Sequence, residues 1–187
     1  ATKKISEILN CQQREIIFTG SGTESINLAI KGIAAALKDK GKHIITSKVE
    51  HHAVLNSCEY LEKNGFEITY LDVDKFGMVN PNDIERAVRK DTILISIMYA
   101  NNEIGTINQI KDISKIARKH NILLHTDACQ AAGFLDINVK NLDVDLMTIN
   151  SGKIYGPKGI GLLYIKSGTQ IDPIIHGGYQ EFGLRAG

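Results

Sequence analysis

Residues 15–38 read EIIFTGSGTESINLAIKGIAAALK, and this stretch indicates the type of fold. The mainly apolar run Glu15–Thr19 predicts a β-strand, and apolar residues at helical spacing predict a helix over Glu24–Lys38. Thr23 stands directly before that helix and is expected to be its N-cap. The stretch therefore predicts a strand, a turn of small residues and a helix in immediate succession.

The same alternation of short strands and longer helices continues along the chain. The other predicted strands are His43–Ser47, Glu67–Val73, Thr92–Met98, Ile122–Thr126, Asp145–Ile149 and Gly161–Ile165. The other predicted helices are Ser6–Leu9, Ala53–Asn64, Pro81–Arg89 and Ile110–His120. Because strands that alternate with helices form βαβ units, we expect an α/β fold: a three-layer sandwich with a mostly parallel sheet, formed by residues 1–187 as one domain.

The composition excludes several classes of partner. The 187 residues carry 22 basic and 21 acidic side chains, which favours neither a nucleic acid nor an anionic membrane as the partner. The three cysteines, Cys11, Cys58 and Cys129, form no CxxC pair, which indicates a reducing compartment and argues against a disulfide framework or a zinc site. We therefore expect a cytoplasmic protein without a bound metal.

Ligands of open α/β sheets bind beyond the carboxyl ends of the strands, so the residues after each strand are the candidate site. After the first strand, the small residues 19–23 lead into a helix N-terminus, which predicts either a phosphate site or a simple capped turn. The dinucleotide motif GxGxxG is not met, because Ser25 stands where the third glycine is required. The phosphate-binding Walker A motif is also absent around Lys153.

Four other strand ends carry polar residues, and each has an ordinary structural explanation as well as a chemical one. His51 would handle a proton or lie solvated at a helix start, and Asn102 would bind a ligand or build a turn. Asp127 would hold a protonated ring nitrogen or cap a helix, and Lys153 would be a nucleophile or a surface lysine. Together with the phosphate site after the first strand, these four residues suit a ligand that is an aromatic, phosphorylated aldehyde, namely pyridoxal 5′-phosphate (PLP).

Six segments carry a resemblance to a known family. They are FTGSGTESINLAIKG, KHIITSKVEHHAVL, DTILISIMYANNEIGTINQI, LLHTDACQAAG, KIYGPKGIGLLYIK and HGGYQEFGLRAG, and they span nearly the whole chain in family order. The chain resembles the cysteine desulfurases of the NifS/IscS type, in the class V aminotransferase group of fold-type I PLP enzymes. The resemblance implies the large, PLP-binding domain of such an enzyme, without its N-terminal segment and its small C-terminal domain.

The resemblance also implies roles for individual residues. Lys153 corresponds to the lysine that forms the Schiff base with PLP. His51 corresponds to the histidine that stacks on the pyridine ring and helps to protonate intermediates, and Asp127 to the aspartate at the ring nitrogen. The remaining cofactor-binding residues that it implies are Gly22, Thr23, Asn102, Gln130 and Ser151.

Two departures from the family pattern fall on the phosphate contacts. Family members usually read Ser-Gly-His-Lys at the lysine, whereas residues 150–153 read Asn-Ser-Gly-Lys, so Ser151 is shifted by one position and the histidine is missing. Residues 20–22 read Gly-Ser-Gly in place of the more usual Ser-Gly-Ala or Ser-Gly-Gly. We therefore expect weaker binding of the cofactor.

The activity implied by the resemblance is removal of sulfur from L-cysteine, giving L-alanine and an enzyme persulfide. A homodimer would pass this sulfur to acceptor proteins of iron–sulfur cluster or thiolation pathways. None of Cys11, Cys58 and Cys129 matches the family's nucleophilic cysteine, so this segment alone is expected to be inactive. The alternatives are a selenocysteine lyase, another class V PLP enzyme, or a truncated PLP-binding subunit without catalytic activity.

Overall fold

The computed structural model describes all residues, Ala1–Gly187, as seven strands and six α-helices. The strands are β1 (Ile16–Thr19), β2 (His43–Ser47), β3 (Glu67–Leu71), β4 (Thr92–Ser96), β5 (Leu123–Asp127), β6 (Leu146–Asn150) and β7 (Gly161–Ile165). The helices are α1 (Thr2–Leu9), α2 (Gly22–Leu37), α3 (His52–Glu62), α4 (Pro81–Ala87), α5 (Ile110–Lys119) and α6 (Val139–Leu142). None of these helices combines the length and the apolar character that a membrane span requires.

All seven strands form one sheet in the order β1-β7-β6-β5-β4-β2-β3. The pairs β2–β3, β2–β4, β4–β5 and β5–β6 are parallel, whereas β7 runs antiparallel to both of its neighbours, β1 and β6. The prediction of a mostly parallel sheet is confirmed.

Helices cover both faces of the sheet, and each face has its own apolar core. On one face α2 and α3 supply much of a cluster of 18 buried residues, and on the other face α1, α4, α5 and α6 contribute to a cluster of 24. Because the strands are buried on both sides, they read as continuous apolar runs rather than as alternating patterns. The three-layer α/β sandwich expected from the sequence is confirmed.

The start of α2 differs from the prediction. The helix begins at Gly22 and its N-cap is Ser21, whose hydroxyl accepts a hydrogen bond from the N–H of Glu24 at 3.1 Å. Ser21 has the extended backbone that a cap residue needs, so Thr23 lies inside the first turn and the prediction of Thr23 as the cap is wrong.

Several other boundaries also shift, and one helix is new. β5 and β6 each begin and end one residue later than predicted, so their last residues are Asp127 and Asn150. The predicted β3 and β4 are each two residues too long at the carboxyl end. The short helix α6 had no recognisable pattern, because four residues are too few to show a helical period.

A buried histidine joins the three central strands just below their carboxyl ends. His125 on β5 lies 2.9 Å from the hydroxyl of Ser96 on β4 through Nδ1, and 3.0 Å from the hydroxyl of Thr148 on β6 through Nε2. Both hydrogen-bond partners are uncharged. Burial therefore lowers the pKa of His125 to about 3, and the ring is neutral in the folded chain.

This histidine predicts a loss of stability in mild acid. Because an unfolded histidine titrates near pH 6.5, only the unfolded chain takes up this proton as the pH falls from about 6.5 towards 3. The free energy of unfolding should therefore fall by about 2 kcal/mol between about pH 7 and pH 5 on account of His125. Because buried Glu50, with its pKa raised to about 8, acts in the opposite direction over this pH range, the test compares variants. Urea unfolding at pH 7 and pH 5 should show that the change in unfolding free energy on acidification is about 2 kcal/mol more favourable in His125→Asn than in the natural chain. The exposed-residue control His52→Gln should behave like the natural chain, and equal changes in His125→Asn and the natural chain would contradict the assignment.

Candidate active site

One cavity lies at the carboxyl edge of the sheet, where β4, β5, β6 and the starts of α2 and α3 meet. Its lining residues are Gly22, Thr23, Ile26, His51, Met98, Ala100, Asn102, Asp127, Cys129, Gln130, Asn150 and Lys153. All site residues predicted from the sequence are in this set except Ser151. The rule that ligands bind beyond the carboxyl ends of the strands therefore located the cavity, although the roles of these residues stay predictions.

The start of α2 offers a site for an anion on one side of the cavity. The N–H groups of Gly22 and Thr23 belong to the first turn of the helix and have no acceptor within the protein. The next N–H, of Glu24, is capped by Ser21, and the Glu24 carboxylate accepts from the N–H of Gly20 at 2.8 Å. Two N–H donors at the positive end of the helix dipole therefore remain free for a phosphate.

Gly22 is closely packed against the opposite wall of the cavity. A Cβ atom added to Gly22 would lie 3.0 Å from Sγ of Cys129 and 3.2 Å from Cβ of Asn150. The absence of a side chain at this position thus makes room for a thiol and an amide beside the start of the helix. The close approach of Cys129 and Asn150 therefore favours a glycine at position 22.

His51 is held by the helix that follows it. It is the N-cap of α3, and its ring nitrogen Nδ1 accepts a hydrogen bond from the N–H of Ala53 at 3.0 Å. A neutral imidazole that accepts at Nδ1 carries its proton on Nε2. The cap therefore fixes which nitrogen of His51 can donate a proton to a ligand.

Asp127 is a buried carboxylate without a cation partner in the protein. It ends β5, and its Oδ1 atom accepts one hydrogen bond, from the N–H of Cys129 at 2.9 Å. No lysine, arginine or histidine lies within ion-pair distance of it. A buried carboxylate in such a place is well suited to a positively charged group of a bound ligand.

Lys153 lies in a short 3₁₀ turn directly after β6. Asn150, the last residue of the strand, caps this turn by accepting a hydrogen bond from the N–H of Gly152 at 3.3 Å. Lys153 makes no ion pair, so its amine is available to the cavity.

Ser151 lies on the other side of this strand end. Its hydroxyl donates to the carbonyl of Pro157, and it borders an apolar groove beside α1 instead of the cavity. Side chains of successive strand residues point to opposite faces, and Asn150 occupies the cavity face. Ser151 therefore does not line the cavity, whereas Asn150 does.

Asn102 lies in a turn that hydrogen bonds of its neighbour Asn101 stabilise. The buried Asn101 amide donates to the carbonyl of Val49 at 3.0 Å and accepts from the N–H groups of Glu103 and Ile104. The bond to Val49 ties the segment after β4 to the segment after β2, and the other two close the turn itself. Asn101 itself does not line the cavity and builds the turn, since a polar residue so close to a buried strand end requires partners.

None of the three cysteines is an activated thiol. Burial raises the pKa of Cys11 to about 11 and that of Cys58 to about 12. Burial, together with the nearby Asp127, also raises the pKa of Cys129 well above the ordinary value. Because the thiolate is the reactive form, these cysteines are poor nucleophiles, in agreement with their mismatch to the family's cysteine.

The fold is of the class found in PLP-dependent transferases, with a lysine, a histidine and a buried aspartate at one edge of the sheet. Residues 1–183 match the model of the class-V aminotransferase family, and the chain belongs to this family. The resemblance seen in the sequence is therefore confirmed, and the family is PLP-dependent.

Two curated relatives are cysteine desulfurases. The chain is 61% identical over 187 residues to the cysteine desulfurase IscS of Dictyoglomus turgidum and covers 48% of that protein. It is 58% identical over 187 residues to the cysteine desulfurase IscS of Methanosarcina thermophila and covers 46% of it. The whole of this chain matches each of them, so it spans about half the length of these relatives.

Solved structures have the same fold. The structure described as SspA in complex with cysteine has a TM-score of 0.96 and 44% identity, and the match covers 100% of this chain and 54% of that one. A NifS-like protein has a TM-score of 0.96 and 42% identity, with coverage of 100% and 52%.

The close packing at Gly22 predicts an energetic coupling to Cys129. In Gly22→Ala the new methyl group must displace the thiol, so the free energy of unfolding should fall by about 1 kcal/mol. In a Cys129→Ala background the same substitution should cost measurably less, with a coupling energy of about 0.5–1 kcal/mol. Urea unfolding of the four proteins measures this coupling, and an equal cost in both backgrounds would show that the contact does not constrain Gly22.

Proposed function

We propose that residues 1–187 form the PLP-binding domain of a cysteine desulfurase, and that the full-length protein removes sulfur from L-cysteine to give L-alanine. The observation that carries this proposal is the single cavity that brings together Lys153, Asp127, His51 and the free N–H groups at the start of α2. The sequence identity of 61% and 58% to the two IscS proteins, over the whole of this chain, supports it.

The donor set suits PLP group by group. The N–H groups of Gly22 and Thr23 would bind the phosphate, and Asp127 would accept a hydrogen bond from the protonated pyridine nitrogen. Gln130 and Asn102 border the same cavity and would contact the ring hydroxyl and the substrate. The Lys153 amine is the nucleophile for the cofactor's aldehyde.

When bound, PLP supplies an electron-poor ring that accommodates the electron pair left on the α-carbon of an amino acid. Around it, Lys153 would take up and return protons at Nζ, and His51 would donate from Nε2 because Nδ1 is occupied by the cap. The buried carboxylate of Asp127 would hold the ring nitrogen of the cofactor.

The attacking thiol has to come from outside residues 1–187. Burial raises the pKa values of all three cysteines of the chain, and none matches the family's nucleophile. We propose that a cysteine elsewhere in the full-length protein accepts the sulfur as a persulfide. An L-cysteine substrate is favoured over selenocysteine by the solved relative that is described in complex with cysteine.

The association state, the sulfur acceptors and the location belong to the same proposal. By family resemblance, we propose a homodimer in the cytoplasm that passes sulfur to acceptor proteins of iron–sulfur cluster assembly or thiolation.

Attachment of the cofactor to Lys153 tests the proposal directly. The chain is incubated with PLP, freed of excess, reduced with borohydride and digested for peptide mass analysis. We expect the cofactor's mass on the peptide that contains Lys153, an absorbance band before reduction, and neither in Lys153→Ala. Lys158→Ala is the matched control, since Lys158 lies on the same loop but does not line the cavity, and it should label like the natural chain. Equal labelling of the two variants would refute the assignment.

The substitution Asp127→Asn tests whether the negative charge of Asp127 contributes to the binding of PLP. The amide keeps the size and the hydrogen bond from Cys129 but cannot compensate a protonated ring nitrogen, so binding should weaken by about 1.5–3 kcal/mol, or roughly tenfold to a hundredfold. The dissociation constant follows from absorbance titration with PLP. Unchanged affinity, with the fold intact by circular dichroism, would remove Asp127 from the cofactor site.

A further inference from the structure

Glu50 is a buried carboxyl group that no step of the proposed function uses. It directly precedes His51 and is only 5% exposed. Its Oε1 atom accepts a hydrogen bond from the hydroxyl of Ser47 at 2.7 Å. The N–H of Met98 lies 3.1 Å from Oε1 and 3.0 Å from Oε2. No cation pairs with Glu50, so its burial costs free energy that only these hydrogen bonds offset.

The bond to Met98 connects two segments of the cavity wall. Glu50 belongs to the turn between β2 and α3, whereas Met98 follows β4 and lines the cavity. A second bond, from the amide of Asn101 to the carbonyl of Val49, joins the same two segments. The carbonyl of Val49 and the side chain of Glu50 thus hold the turn before His51 to the segment that follows β4.

The placement of His51 depends on this backbone. Its ring accepts a hydrogen bond from the N–H of Ala53, two residues later, and residue 51 has a non-helical backbone with φ −58° and ψ 145°. If the turn loosened, the ring would leave the cap and either nitrogen could then carry the proton.

We propose that Glu50 is a positioning residue for His51: its hydrogen bonds to Met98 hold the turn that keeps the His51 ring as the N-cap of α3 and leaves Nε2 as the proton-bearing nitrogen. The inference deepens the proposed function and rests on it only for the use that the site makes of His51. The contacts themselves are present in the cofactor-free chain.

Glu50 acts as a hydrogen-bond acceptor and not as a charge. Burial, together with the nearby negative charge of Asp127, raises its pKa to about 8. Cys58 on α3 is the other titratable group that interacts with it, and neither neighbour supplies a positive charge. The neutral acid is therefore the main form below about pH 8, and a glutamine amide should replace it.

The test measures exchange of the Ala53 amide with deuterium by NMR, in the 187-residue chain without cofactor. Loss of the cap in Glu50→Ala should speed Ala53 exchange by about five- to tenfold relative to amides in the middle of α3. Glu50→Gln should restore slow exchange, because its side-chain carbonyl still accepts from Met98. Ser47→Ala is the matched control: it removes the other bond to Glu50 and should leave the Ala53 rate unchanged relative to α3.

Three outcomes would overturn the proposal: slow Ala53 exchange in Glu50→Ala, equally fast exchange in Glu50→Gln, or a uniform rise across α3, which would indicate a structural role alone. If Glu50→Ala does not fold, Glu50→Asp replaces it, since its shorter side chain cannot reach Met98 and should speed Ala53 exchange. PLP attachment plays no part in this readout. A negative result for Ala53 exchange therefore does not affect the assignment of Lys153. In the same way, a failure to bind PLP does not affect the role of Glu50 in positioning His51.

Discussion

The backbone hydrogen bonds between β4, β5 and β6 fix the positions of the functional side chains. The ladder continues past the strands, since the N–H of Tyr99 donates to the backbone carbonyl of Asp127 and the N–H of Ala128 donates to that of Thr148, both at 2.9 Å. Because side chains alternate between the faces of a strand, a slip of one residue would turn the Asp127 carboxylate to the opposite face. The register of three strands therefore sets the chemistry of the cavity before any ligand binds.

Polar groups buried beneath the cavity make that register specific. His125 connects three strands through two hydroxyl groups, and Glu50 connects β2 to the end of β4. Every buried side-chain nitrogen and oxygen atom in the structure has a hydrogen-bond partner. Apolar residues would pack there at lower cost, but they would not distinguish one alignment of the strands from the next. These buried polar groups thus lower the stability of the fold but define the alignment of the strands.

The sequence predicted the sheet and the cavity but not the contacts between distant segments. Alternating strands and helices indicated the fold, and the rule that ligands bind beyond the carboxyl ends of the strands brought Lys153, Asp127 and His51 to one edge. Ser151 was implied by a family pattern in which this chain has its serine one position later, and its hydroxyl donates to the carbonyl of Pro157 outside the cavity. Glu50 was visible as a charged residue after an apolar strand, but its partner is an N–H group 48 positions away. No local pattern reveals such a partner.

The antiparallel direction of β7 has a consequence for how the chain folds. Asn150 and Gly161 are paired neighbours, and a hydrogen bond from Ser151 to Ile160 closes the base of the loop between them. The lysine segment is therefore the connection of a hairpin, whereas the parallel strands are joined by long crossovers. Loops of about ten residues close in about 10–100 ns, long before distant strands meet. The segment that carries Lys153 can acquire its shape as a local event, and the rest of the cavity is then assembled around it.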